Sequence, residues 1–209
     1  MKKIVLSLFA IASVFSLHAQ NATEAYKTQA ITFLGLDYTA AIFVGTNGFN
    51  DPAAIKTLTM SWNSLFITEP NKYNIQKSFK VLTKINLKIV NDRNKQTDFT
   101  NRITDKHIDL PHLTDSDIET IISGYPDFNE KGVSLVFIVD AYDKRTATAW
   151  YHFVFFDNLT KKVLLNYPVS GTAGGGGLRN YWANSCYKAI LKGGSRYSAT
   201  AEFYRDYTR

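Results

Sequence analysis

The chain has one cysteine, Cys186, in 209 residues. An intrachain disulfide is therefore excluded, and stability has to come from a hydrophobic core. Dense runs of one charge sign are also missing. The 24 basic and 18 acidic residues are scattered in ones and twos, such as Lys161-Lys162, without the basic stripe that nucleic-acid binding needs. Apolar runs are short, and the longest, Ile4 to Leu17, does not comfortably span a bilayer. Internal repeats are absent, and so is low-complexity sequence apart from one run of glycines.

What is present begins with MKKIVLSLFAIASVFSLHAQ. Lys2 and Lys3 precede the apolar run, and Ala19-Gln20 gives a small-residue exit, which is the pattern of a secretory signal peptide over residues 1–20. The polar NATEAYKTQ that follows carries no stop-transfer continuation, so no stable membrane anchor is expected after cleavage. No cysteine stands at the exit to take a lipid. The expected product is exported, periplasmic or extracellular. Without Lys2 and Lys3 the mature chain keeps 22 basic residues against 18 acidic, a net charge of +4 instead of +6. Residues 21–209 are of a length for one globular domain, and 45% apolar content can fill its core.

Residues 30–45, AITFLGLDYTAAIFVG, read as a buried strand or strand pair ended by Thr46-Asn47-Gly48. A helix follows, with Asp51 as N-cap, Pro52 in the first turn, and Ile55, Leu58, Trp62, Leu65 and Phe66 on one face until Glu69-Pro70. Residues 73–79 suggest another turn of helix, 81–93 a strand, and 94–113 a polar loop. Thr114 caps a short acidic-started helix that ends near Gly124. Between Gly132 and Ser170, three β-rich runs separated by Asp143-Lys144-Arg145 and Asn158-Leu159-Thr160 predict an antiparallel meander. The first run is apolar on both faces and is therefore expected to be central. Leu178 to Leu191 offers a last helix. The fold expected is α+β, a two-layer α/β sandwich whose mixed sheet of about five strands carries helices packed on it.

The candidate chemistry centres on SGTAGGGGLRNYW. Gly174, Gly175, Gly176 and Gly177 stand before a helix start, where backbone N–H groups can approach an anion, and Arg179 and Asn180 follow. The run lacks the Gly-Lys-Ser/Thr ending of a Walker loop and follows a meander instead of opening a parallel unit. Two readings stay open: an anion-binding loop, or a flexible turn that lets the helix pack close to the sheet. No cofactor and no metal are expected. His107 and His112 flank a proline-containing segment and read as solvated loop histidines; His152, inside the meander, reads as a hydrogen-bonded structural imidazole. Cys186 falls on the apolar stripe of the last helix and reads as a small buried hydrophobe.

The phrases VGTNGFNDP, WNSLFITEPNKY, FVFFDNLTKKVLL and GGGGLRNYW, over nearly the whole mature chain, resemble a group of uncharacterised exported proteins of Bacteroidetes. That resemblance implies compartment and lineage but no mechanism. A weaker likeness at the level of fold is to the amino-terminal domain of TolB and to the lipoprotein LpoB, from which the chain departs by its missing lipid-attachment cysteine. Together these features favour a non-enzymatic interaction module with a cell-envelope protein as partner. The alternative is a small-ligand or hydrolytic protein using the Gly174 to Gly177 loop and Arg179. The signal pattern makes one direct prediction: N-terminal sequencing of the native protein should start near Ala19 to Asn21 with no lipid, and recovery of Met1 would refute export by this route.

Overall fold

The computed structural model describes residues 22–206; the expected signal segment lies outside them. After a short helix at 22–27 (α1), the chain runs through β1 (Ala30–Asp37), β2 (Ile42–Val44), α2 (Pro52–Thr68), α3 (Ile75–Phe79), β3 (Leu82–Ile85), α4 (Lys88–Gln96), β4 (Ile103–Thr104), α5 (Asp115–Ser123), β5 (Val133–Asp143), β6 (Thr148–Asp157), β7 (Val163–Thr172) and α6 (Leu178–Asp206). All seven strands belong to one mixed sheet. The α+β class and the carboxyl-terminal antiparallel meander are those expected from the sequence.

The meander is built on β5, which is buried at every one of its 11 positions. One edge pairs antiparallel with β6 from Val133 to Asp143, and β6 pairs in turn with β7. The other edge is shared. Parallel β1 occupies it from Val133 to Ile138, and parallel β2 from Ala141 to Asp143. β3 extends the sheet beyond β1, and β4 beyond β2.

Side chains alternate across the sheet and feed two apolar clusters. On one face Phe33, Phe137, Phe153 and Phe155 meet α2, α3 and α6 in the larger cluster; Phe137 and Phe153 stack with centroids 3.7 Å apart. On the other face Leu34, Val136, Ile138, Val154 and Phe156 pack against Val90 of α4 and Ile118 and Ile122 of α5. Several polar atoms inside the larger cluster pair with one another, while the buried Trp182 Nε1 has no partner among the described residues. Tyr38 and Tyr142 join hydroxyls at 2.8 Å, and the Tyr151 hydroxyl meets Ser185 Oγ at 2.8 Å.

The caps read from the sequence work as expected. The Asp51 side chain accepts from the Ala53 N–H at 2.8 Å, and Thr114 with Asp117 closes a full capping box on α5. Three expectations need correction. Residues 81–93 are not one strand: β3 stops at Ile85 and α4 begins at Lys88. The helix forms because it buries Val90 and Asn94 on one face, and Asn94 reaches β1. The polar loop begins later than expected, and Ile103–Thr104 contributes β4.

The last helix does not end at Leu191 but runs 29 residues to Asp206, about 43 Å at 1.5 Å per residue. Gly193 and Gly194 look like a stop signal in sequence, yet both are buried in mid-helix. A Cβ on Gly193 would collide with the Phe153 ring, and one on Gly194 would lie 2.7 Å from the Ser78 carbonyl oxygen. Arg205 then ties the helix end down. Its guanidinium donates to the carbonyls of Tyr26, Lys80 and Thr28 at 3.1, 2.9 and 2.8 Å.

Gly171 of β7 is the tightest of these contacts, because a Cβ there would overlap the Ser185 carbonyl of α6. Gly171→Ala should therefore cost about 2 kcal/mol or more, since backbone has to shift. Gly176→Ala, in open space without positive φ, should stay within about 0.5 kcal/mol of wild type. Urea melts of the two variants check the contrast.

Candidate functional site

The glycine run connects β7 to α6 on the surface. Gly175 and Gly177 have φ of 105° and 74°, the left-handed region that glycine enters without strain. The Gly174 N–H donates back to the Tyr181 carbonyl at 3.0 Å, and the Tyr181 N–H to Gly177 at 2.9 Å, so the loop folds against the first turn of α6. Arg179 is engaged elsewhere. Its Nε donates to Ser61 Oγ at 2.7 Å, an Nη donates to Asn180 Oδ1 at 3.1 Å, and the other Nη lies 3.9 Å from Glu69. The Arg179 carbonyl accepts from Trp62 Nε1 at 2.8 Å. Arg179 and Asn180 thus form a joint between α6 and α2.

A denser polar cluster lies on the opposite face of the sheet. Asp140 is the extra residue of a β-bulge, between Val139 opposite Tyr151 and Ala141 opposite Trp150, and its carboxylate is fully buried. It accepts from the His112 N–H at 3.0 Å, His112 Nδ1 at 2.6 Å, the Leu113 N–H at 3.0 Å and His152 Nε2 at 3.2 Å. His152 Nδ1 in turn meets Asn166 Oδ1 at 3.1 Å, and Asn166 Nδ2 donates to Asp115 at 2.7 Å. Because Asp115 can only accept, the Asn166 amide must present its oxygen to the ring. His152 therefore faces an oxygen of Asn166 at one ring nitrogen and of Asp140 at the other.

His152 is hydrogen-bonded in the sheet, as its position suggested. His112 is not a solvated loop residue: it is part-buried and latched to Asp140, whereas His107 is exposed beside Asp109. Burial alone would raise the Asp140 carboxyl. The hydrogen bonds from His112, His152 and the Leu113 N–H outweigh that and hold it well below the usual carboxylate range. Chemically, the arrangement pins the loop before α5 to the sheet. The two rings flank one carboxylate instead of converging on a common point, and among the described residues no group of three His, Cys, Asp or Glu side chains is arranged to hold a metal ion. Cys186 is buried on α6, and burial pushes its thiol up, away from the reactive thiolate.

The sheet edges form a third feature. Along β7 the middle of the free edge carries Pro168, which has no N–H to offer a further strand. β3 differs: it is the outer strand beyond β1, with Leu82 63% and Ile85 36% exposed. Its groove of about 450 Å³ is lined by Ile31, Gln76, Leu82, Lys84, Lys131 and Val133 among others. No protein-family model, curated protein or solved structure matches this chain. No helix among the described residues is long and apolar enough to cross a membrane.

The Asp140 cluster yields a pH prediction. Its carboxyl ionises more readily folded than unfolded, so its stabilisation is complete above the unfolded value of 3.8 and is lost as pH falls below it. Asp140→Asn should lose about 3 kcal/mol near neutral pH, the cost of breaking a buried pair. The gap to wild type should narrow below about pH 4. Denaturant melts from neutral to acid pH measure this, and a gap independent of pH would contradict it.

Proposed function

We propose that the protein is an exported, non-enzymatic interaction module of the cell envelope, and that it engages a protein partner through the β3 edge of its sheet. Export rests on the signal pattern and on the resemblance to exported Bacteroidetes proteins. The observation that carries the binding surface is β3 itself, a short edge strand whose Leu82 is more exposed than any other large apolar side chain among the described residues. Edge strands are templates for pairing with another chain, and proteins ordinarily blunt them. Strand addition is a common way for a domain to capture an extended segment, with main-chain hydrogen bonds giving affinity and alternate side chains giving selectivity.

The geometry of β3 suits that mode. The Leu82 N–H donates to the Gln29 carbonyl at 3.2 Å and the Asn86 N–H to Phe33 at 2.9 Å. In the alternation of a strand, the Thr83 and Ile85 N–H groups therefore face away from β1, toward an incoming chain.

Proline at position 83 removes one outward donor without touching the β1 ladder, which makes it a selective block. A photo-reactive side chain placed at Leu82 in the exporting cell should give a discrete cross-linked protein. That product should vanish when Thr83→Pro is added, while the melting temperature moves by no more than about 3 °C. A product that persists in the Thr83→Pro background would exclude β3 strand addition.

A further inference from the structure

From the charges around β3 we infer what kind of chain it takes: an extended acidic segment that also carries apolar side chains. The inference rests on the proposal that β3 is the binding edge, and adds the chemistry of the occupant. Lys77 follows Gln76 on α3, Lys80 and Lys84 bracket the start and middle of β3, and Lys131 lines the same groove as Leu82. Against these four lysines stand two carboxylates: Glu202 pairs with Lys80, and Glu130 with Lys84 at 3.3 Å. Both pairs are more than half exposed and cost little to rearrange in water. Among the described residues Lys77 and Lys131 form no ion pair, so the edge carries an excess of positive charge for a negative chain.

The competing explanation is that these lysines only guard the edge against aggregation, a regular use of lysine on exposed strands. Leu82 and Ile85 argue against it, because a guarded edge gains nothing from large apolar side chains left in water. Gln76 adds a second argument. Its Oε1 accepts from the outward Thr83 N–H at 3.2 Å, where the carbonyl of an added strand would sit. An exposed, flexible amide is a placeholder that an incoming backbone can displace.

The probe is a synthetic peptide of about ten residues alternating Val with Glu, labelled for fluorescence anisotropy with the mature protein. Two control peptides replace Glu by Lys, or N-methylate every second backbone nitrogen. The acidic peptide should bind, the basic one should not, and N-methylation along the pairing edge should abolish binding. Affinity should fall about tenfold in Lys84→Glu/Lys131→Glu and fall as salt rises from roughly 50 to 300 mM. Gln76→Ala should strengthen binding by a few fold, because the competing acceptor is gone.

Equal binding of both charge types, absence of acidic-peptide binding, or insensitivity to the lysine reversals overturns the inference. So does a concentration-dependent dimer that Leu82→Asp abolishes, which would make a second copy the occupant. Loss of acidic-peptide binding while the Leu82 cross-link persists would sink only the charge assignment. Loss of the cross-link itself would sink the binding edge.

Discussion

Everything in this fold is arranged around the double use of β5. A strand buried at all 11 positions must have both edges hydrogen-bonded and both faces covered, because each unpaired buried backbone group costs about as much as a lost hydrogen bond. β6 satisfies one edge from Val133 to Asp143, interrupted at the Asp140 bulge. The other is satisfied by two short strands laid end to end, β1 and then β2. The chain between them has to leave and rejoin the sheet within residues 38–41, where the Ala41 N–H closes a turn on the Tyr38 carbonyl. Covering both faces explains the uneven helices. The long α2 and α6 and the short α3 serve the aromatic face, and the short α4 and α5 the other.

That solution leaves a gap. β3 pairs with β1 only from Ala30 to Phe33, so Leu36 and Tyr38 have no neighbouring strand on that side. Two buried side-chain amides take its place. Asn63 of α2 accepts from the Leu36 N–H at 2.7 Å and donates to its carbonyl at 2.9 Å, while Asn94 of α4 donates to the same carbonyl and accepts from the Tyr38 N–H at 2.8 Å. Gly35, with φ of 100°, gives them room, since a Cβ there would lie 2.5 Å from Asn63 Oδ1. Helices on opposite faces are thereby fixed to one stretch of backbone. Leaving these groups unpaired would cost about 1–3 kcal/mol each.

These facts explain what could be read in the sequence. Elements set by local rules were legible: α2 and α5 from their caps, and the meander from its turns and alternation. α4 was not, because its polar face wins through Asn94, whose partner lies 56 residues away in sequence. The full length of α6 was hidden because glycine in sequence marks helix ends and close packing alike; only the position of Phe153 tells them apart. The Asp140 cluster left a partial signal. A lone carboxylate in the apolar run VSLVFIVDAY has to find partners when buried, and His152 follows in the next strand. His112 could not be found that way, because it arrives from a loop with no periodicity and the bulge at Asp140 sets which face the carboxylate meets.

The same requirement for paired backbone bears on where the molecule can interact. Beyond β3, the free edge of β1 is filled by Asn63 and Asn94, and the free edge of β7 is broken by Pro168. At β3 the cover is one exposed glutamine amide on one of two outward N–H groups, beside large apolar side chains in water. The buried asparagines are held by helices that cannot leave without unpacking both clusters, whereas Gln76 can rotate away at the cost of a single exposed hydrogen bond, about 0.5–1.5 kcal/mol. The difference in that cost separates an edge closed by buried side chains from one covered only by an exposed amide, whereas at the glycine run Arg179 is already bonded to α2.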